Sequence, residues 1–97
     1  MNGLTKGFNE IIHAPNRLQI CAFLATAAEV EFGTLKAQLE VSDSVLSKHL
    51  KVLEENDYIR LKKRTSEGRQ RTWLEMTATG HRAYKGHVKA LRAMLDH

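Results

Sequence analysis

The sequence predicts a mainly α-helical domain with one small β-hairpin. Apolar residues recur at helical spacing along most of the chain, but between residues 58 and 76 they alternate with the two-residue period of strands. Two strands alone are only marginally stable, so we expect the hairpin to pack against the helices. No repeat, low-complexity tract or linker interrupts the 97 residues, a length typical of a single domain.

Composition excludes several classes of protein. An apolar fraction of 42% with 27% charged residues is typical of a globular chain rather than a disordered one. No apolar run approaches the roughly 18 residues of a membrane span, and the start MNGLTKGFNE lacks the pattern of a signal peptide. Cys21 is the only cysteine, which rules out an intramolecular disulfide and a cysteine metal cluster. We therefore expect a cytoplasmic protein without a metal or cofactor.

The positive charge is concentrated in one part of the chain. The formal net charge is +4, yet residues 1–41 contribute −1 and residues 42–57 contribute −2. Residues 58–76 carry six cations and two acids, and residues 77–97 add a further +3. A local excess of this kind predicts a polyanionic partner that meets the hairpin and the segment after it.

Two helices are predicted in the first part of the chain. The first covers about residues 3–13, and the second covers about residues 15–27, with Pro15 in its first turn, where a missing N–H costs nothing. The connection that follows could form one short strand in Val30-Glu31-Phe32, and a brief helix is predicted from Thr34 to Leu39.

The next helix, about residues 43–55, is amphipathic. Either Ser42 or Asp43 can cap it by accepting a hydrogen bond from a free backbone N–H. Its apolar stripe is predicted at Val45, Leu46, Leu50 and Leu53. The opposite side carries short hydroxyls and cations, namely Ser44, Ser47, Lys48 and Lys51.

The hairpin and a final helix complete the chain. Strands are predicted over about 58–64 and 70–76, with Ser66-Glu67-Gly68 as the turn and with Ile59 and Leu61 on one face. Trp73 is expected to pack rather than to stack on a base. Thr77 can cap a last helix over about residues 78–96.

This order of elements is that of a helix-turn-helix followed by a basic wing. A short helix, a tight turn and a helix with a polar outer face can place the second helix in a major groove, while the hairpin reaches phosphates or the minor groove. For His49 the residues leave two readings open, packing or phosphate contact against base reading. The predicted DNA-binding residues are Thr34, Ser44, Ser47, Lys48, His49, Lys51, Lys62, Lys63, Arg64, Arg69 and Arg71.

Three motifs in this order resemble winged-helix regulators of the MarR/ArsR type. They are HAPNRLQICAFL, LSKHLKVLEENDYI, and KKR followed by GRQRTWLEMTATG, and the resemblance covers about residues 8–95. It implies a homodimeric DNA-binding transcriptional regulator with residues 43–55 as recognition helix and 58–76 as wing. Asn56-Asp57 stands where such proteins usually carry glycine, and residues 34–41 hold no cysteine or histidine for a metal sensor.

The terminal helices carry more apolar surface than a winged core needs. We expect a two-fold dimer to bury it and to set two recognition helices about 34 Å apart. The alternative is a monomer whose last helix folds onto its own core. The predicted interface residues are Leu4, Phe8, Ile11, Ile12, Tyr84, Val88, Leu91, Met94 and Leu95.

The remaining candidate residues have ordinary explanations. His81 and His87 are six residues apart and lie on different faces of a helix, so they are expected to be solvated or interface histidines rather than zinc ligands. Cys21 lies among apolar residues and is expected to be a buried small hydrophobe.

The sequence therefore predicts sequence-specific binding of double-stranded DNA to control transcription. The alternative is a winged helix that binds an acidic protein without sequence-specific DNA binding. An enzyme is not expected, because the chain shows no nucleophile–base pair, metal site or glycine-rich phosphate loop. A small-molecule effector could still bind at the dimer cleft.

Overall fold

The structure is a computed structural model that describes residues 6–96. Its order of elements confirms the predicted mainly α fold with a small β-hairpin, and the predicted short strand is present. No helix within the described residues is long and apolar enough to span a bilayer. The helices are α1 (Glu10–His13), α2 (Pro15–Thr26), α3 (Phe32–Leu39), α4 (Asp43–Glu55) and α5 (Ala78–Leu95), and the strands are β1 (Val30–Glu31), β2 (Ile59–Ser66) and β3 (Arg69–Met76).

The three strands form one antiparallel sheet in the order β1-β3-β2. The wing hairpin, β2 and β3, turns through Glu67 and Gly68, with φ of 55° and 76° respectively. Two left-handed residues suit the right-handed twist of a two-residue hairpin, and glycine adopts such a conformation freely. The pairing places Ile59 opposite Met76 and Leu61 opposite Leu74.

The core is formed where α2, α3 and α4 meet the base of the hairpin. Leu46, Leu50 and Leu53 of α4 are buried, as their spacing predicted, whereas Val45 is 38% exposed. Leu61 was predicted to share the inward face of Ile59, but it is 37% exposed, since β2 is an edge strand, whereas its partner Leu74 on the central strand is completely buried. The other fully or almost fully buried apolar side chains are Ile12, Ile20, Cys21, Leu24, Leu35, Ile59, Leu74, Met76 and Ala90.

Side chains cap four of the helices, and in α3 the cap is Glu31, whose Oε2 accepts from the Gly33 N–H at 2.8 Å. Ser42, rather than Asp43, caps α4, because its Oγ accepts from the Val45 N–H at 3.2 Å. Thr77 caps α5 as predicted, accepting from the Gly80 N–H at 2.9 Å while its hydroxyl donates to the Asp57 carbonyl. Asn9 caps α1 by accepting from the Ile12 N–H at 3.0 Å.

The first helix is shorter than predicted. Because Asn9 is the cap, α1 begins at Glu10, and residues 6–9 precede it without helical structure. Leu4, which was assigned to the first helix and to the dimer interface, lies outside the described residues.

At the end of α4, Asp57 occupies a position where glycine is usual. Asp57 takes a left-handed conformation with φ of 61°. The Tyr58 N–H then donates to the Leu53 carbonyl at 3.0 Å and the Asp57 N–H donates to the Glu54 carbonyl at 2.9 Å. This pair of bonds is the Schellman arrangement that ends many helices, and aspartate tolerates it better than most side chains do.

A left-handed residue also ends α3, and it yields a prediction. Glu40 has φ of 54°, a conformation in which its Cβ is strained. We expect Glu40→Gly to raise the free energy of unfolding by about 1 kcal/mol, measured by chemical denaturation. Glu40→Ala removes the carboxylate but keeps the Cβ and should give no such gain. Equal stabilisation by both substitutions would attribute the effect to charge instead of backbone strain.

Candidate nucleic-acid interface

The exposed face of α4 presents hydroxyls and ammonium groups together. Ser44, Ser47, Lys48 and Lys51 are all exposed, while the buried leucines hold the other side of the helix on the core. Within the described residues neither lysine takes part in an ion pair. Both cations are therefore available to a ligand.

The start of α4 is fixed to α3. Lys36 Nζ lies 2.7 Å from Asp43 Oδ1, which joins the two helices across the turn. The Asp43 carboxylate also lies at the helix N-terminus, where a negative charge is favourable. Thr34, which was predicted to contact DNA, is exposed in the first turn of α3.

The wing and α4 line a common groove, with Ser47 and Lys51 on one side and wing residues on the other. Its volume is about 360 Å³. The remaining lining residues are Phe32, Leu50, Glu54, Leu61 and Thr72.

Much of the positive charge of the wing is neutralised within the chain. Arg64 Nη2 donates to Glu29 Oε1 at 2.6 Å, and its guanidinium lies 4.7 Å above the Trp73 ring centroid. Lys62 Nζ lies 3.2 Å from Glu75 Oε1. Both of these predicted DNA-binding cations therefore have partners within the chain, although exposed ion pairs of this kind are weak and can exchange.

Arg71 has acidic neighbours on two elements. Its guanidinium lies 3.7 Å from both Glu31 of β1 and Glu67 of the turn. Lys63 and Arg69, by contrast, are exposed and are in no ion pair among the residues that the structure describes. These two residues are the wing cations most available to an external anion.

Two side chains of α2 contact the half-buried ring of His49. Arg17 Nη1 lies 3.2 Å from His49 Nδ1, and the Asn16 amide lies 3.4 Å from His49 Nε2. Burial, together with the positive charges of Arg17 and Lys48, lowers the pKa of His49. Asn16 and Arg17 were not predicted as partners of α4, because they lie more than 30 residues earlier in the chain.

The exposed side of α5 carries the remaining candidate residues. Tyr84, Val88, Leu91 and Met94 are half-buried, and Leu95 is 82% exposed. A groove of about 500 Å³ runs along this helix between apolar and cationic side chains. Its lining consists of Tyr84, Lys85, Val88, Lys89 and Arg92.

The structure corrects one predicted interface residue near the N-terminus and places two others. Ile12 was predicted at the dimer interface, but it is completely buried in the core of its own chain and offers no surface to a partner. Phe8 and Ile11 are half-buried, with Ile11 packed against the core. The Phe8 ring lies 4.8 Å, between ring centroids, from each of His13 and His87.

His87 is neither solvated nor at an interface, contrary to the prediction. It is completely buried, its Nδ1 accepts from the Asn9 N–H at 2.9 Å, and its Nε2 lies 3.2 Å from His13 Nδ1. Burial, and next the neighbouring His13, lower the pKa of His87. Residues 6–96 contain no group of three or more histidine, cysteine or acidic side chains placed to hold a metal.

Two further residues lie as predicted. Cys21 is buried in the core, and burial raises the pKa of its thiol to about 12, so it remains protonated and packs as a small apolar side chain. Trp73 is half-buried beneath Arg64 in β3, consistent with a packing role.

Comparisons with known proteins agree with this architecture. The family described as winged helix DNA-binding domain matches residues 16–95. An uncharacterized protein of Methanocaldococcus jannaschii is 35% identical over 83 residues, which is 86% of each chain.

Solved structures give the same result. A transcriptional regulator homologue from Pyrococcus horikoshii has a TM-score of 0.85 at 30% identity, over 91% of this chain and 87% of its own. HlyU from Vibrio cholerae has a TM-score of 0.62 at 26% identity, over 89% of this chain and 84% of its own. These matches confirm the resemblance that the three sequence motifs indicated. With the family match spanning α2 through α5, the chain belongs to the winged helix DNA-binding domain family.

Proposed function

We propose that this chain is a sequence-specific transcriptional regulator that binds double-stranded DNA with α4 in the major groove. The observation that carries the proposal is the exposed row of hydroxyls and lysines on α4, whose lysines form no ion pair within the described residues. An α-helix fits a major groove about 12 Å wide, where serine hydroxyls can donate or accept and lysine can donate to guanine. The similarity to a transcriptional regulator homologue, over most of both chains, supports the same role.

The wing would supply affinity rather than base discrimination. Lys63 and Arg69 are the cations that can bind phosphate without first leaving an ion pair in the described structure. Arg64 and Arg71 would instead hold the wing in shape through Glu29, Glu31 and Trp73. The wing could still place its tip near the minor groove, since the turn at Glu67 and Gly68 is exposed.

We propose further that two copies associate through α5 and the segment before α2. An almost fully exposed Leu95 at the end of a helix with half-buried Tyr84 and Val88 favours a partner on this face. A two-fold pair would present two α4 helices to successive major grooves. An anionic effector could use the cations of the α5 groove at the same cleft.

In vitro selection of duplex DNA at two salt concentrations tests the proposed function. We expect enrichment of a two-fold symmetric site, because a symmetric dimer reads two equivalent half-sites. Enrichment of a single asymmetric site would support DNA reading but refute the dimer. The absence of any enriched sequence at either salt concentration would refute sequence-specific binding and favour the protein-binding alternative.

The wing assignment gives a separate prediction. We expect Lys63→Ala and Arg69→Ala each to weaken binding to all duplexes alike and to reduce the slope of log K against log salt by about 1, because each removes one cation that binds phosphate. Arg82→Ala removes an exposed cation of α5, outside both α4 and the wing, and should leave the slope unchanged. The salt dependence of equilibrium binding provides the measurement. Unchanged slopes for both wing variants would refute the assignment.

A further inference from the structure

We infer that His49 is a positioning residue rather than a DNA contact, and that protonation of its ring releases α4 from α2. The inference rests on the proposed function for its effect on DNA binding, but the contact itself is a property of the free protein. It decides between the two readings that the sequence left open for this residue, because neither ring nitrogen is left for a base.

The geometry places one partner at each ring nitrogen. Arg17 Nη1 lies 3.2 Å from Nδ1, and the Asn16 side-chain amide lies 3.4 Å from Nε2. His49 is half-buried, unlike the exposed Ser47 and Lys48 that precede it on the same helix. Its ring therefore faces α2, while the neighbouring side chains face outward.

The donor inventory fixes the tautomer of the ring. A guanidinium can only donate, so the contact with Arg17 requires Nδ1 to be the acceptor. The proton of a neutral imidazole must then lie on Nε2. The structure turns Asn16 Nδ2, a donor, toward Nε2, so the amide must rotate by 180° about its last bond for Oδ1 to accept the Nε2–H.

Arg17 connects this ring to a third helix. While Nη1 donates to His49, Nε donates to the main-chain carbonyl of Ile11 in α1. One half-buried guanidinium thus fixes α4 relative to both α1 and α2. Arg17 can make both bonds because its planar guanidinium carries several N–H donors in fixed directions. A lysine, with a single ammonium group, cannot reproduce this arrangement.

Protonation of the ring is incompatible with this arrangement. An imidazolium carries N–H groups at both nitrogens, so Nδ1 would point a proton at a group that can only donate. The charged groups that act on the ring, Arg17 of α2 and Lys48 of α4 itself, are both positive. Burial and these charges lower the pKa of His49 below its ordinary 6.5, so the contact is intact at neutral pH.

The sign of the pH effect follows directly. Because the folded chain has the lower pKa, the unfolded chain binds this proton more readily, and the stability contributed by the contact is complete above 6.5. That stability is lost as the pH falls from 6.5 through the lowered pKa. The position of α4, and with it DNA affinity, should be affected over the same range.

Nuclear magnetic resonance of the His49 ring nitrogens in the DNA-free chain tests the contact. At about pH 7.5 we expect the Nε2–H tautomer, and on acidification through the lowered pKa we expect protonation of His49 to shift the α4 amide signals. Arg17→Met keeps the aliphatic stem but removes the donors, and should raise the pKa of His49 and increase the share of its Nδ1–H tautomer. Lys48→Ala removes a nearby charge outside the contact and should leave the tautomer unchanged. An Nδ1–H tautomer, or an Arg17→Met variant identical to the parent, would overturn the inference.

Binding to the selected duplex forms the second arm of the experiment. His49→Asn keeps an oxygen that can accept from Arg17 but cannot titrate. We expect this variant to bind within about threefold of the parent at about pH 7.5. We also expect it to escape the weakening, larger than that margin, that the parent shows once the pH falls below the lowered pKa of His49.

The opposite response to acid would overturn the inference. A parent that binds DNA more tightly on acidification would identify His49 as a DNA contact, provided that His49→Asn abolishes the gain and lowers the salt slope by about 1. If the parent selects no DNA sequence, the proposed function fails while the resonance measurements still decide the role of His49.

Discussion

Replacement of Gly80 by alanine is expected to lower the free energy of unfolding by about 3 kcal/mol or more, or to prevent folding. A Cβ at this position would lie 2.1 Å from the Tyr58 carbonyl oxygen and 2.9 Å from Met76 Cγ. The carbonyl cannot retreat easily, because it accepts the Thr77 N–H at 3.0 Å. The first turn of α5 and the start of β2 would therefore have to separate.

A second glycine of α5 provides the matched control. At Gly86 a new Cβ would meet only Gly7 among residues 6–96, with its nearest atom at 3.8 Å, which is an ordinary contact distance. Gly86→Ala should be neutral or stabilising by up to about 1 kcal/mol, because alanine favours the helix. Urea denaturation followed by circular dichroism compares the two variants. Similar losses from both would show that helix propensity and local packing, rather than the approach of Gly80 to Tyr58, determine the outcome.

The second large effect is expected on DNA recognition. We expect Lys48→Ala to weaken binding to the selected duplex by about ten- to a hundredfold, since one base contact contributes about 1–3 kcal/mol of discrimination. Lys48 is exposed on α4 and is in no ion pair within the described part of the chain, so its truncation leaves the fold intact. Equilibrium binding at fixed salt, with the selected and an unrelated duplex side by side, gives the measurement.

The comparison between the two duplexes distinguishes base recognition by Lys48 from nonspecific attraction of its charge to phosphate. Binding to the unrelated duplex should fall only a few-fold on Lys48→Ala, since the lysine can do no more there than attract phosphate. Lys63→Ala in the wing should instead weaken both duplexes by the same factor. Equal weakening on both duplexes for Lys48→Ala would show that this lysine holds phosphate and that discrimination lies elsewhere.

Features set by neighbouring residues could be predicted from the sequence. Thr77 caps α5 because its hydroxyl reaches the Gly80 N–H three residues later, a local relation that residue types and spacing reveal. The spacing of Leu46, Leu50 and Leu53 likewise determines which side of α4 is buried. The same spacing determines which side of α4 is exposed. The residues of α4 predicted to contact DNA therefore lie together on that side.

Features that depend on distant residues could not be predicted in this way. Nothing near Arg64 in the sequence indicates its ion pair with Glu29, which forms because the wing folds back beside β1. The partners of His49 lie 32 and 33 positions earlier, so its inward direction depends on how α2 crosses α4. The burial of His87 has the same origin, because its hydrogen-bonding partners are in the N-terminal segment.

The bond between the Asn9 N–H and His87 has a consequence for how the chain folds. It joins residues 78 apart, so almost the whole chain forms a loop that this contact closes. Closing so long a loop costs entropy that only an already ordered α5 can offset, because the buried imidazole must be in place to accept. We therefore expect the N-terminal segment to join the domain last during folding. In the native state we expect local opening to release this segment before α4 loses its packing.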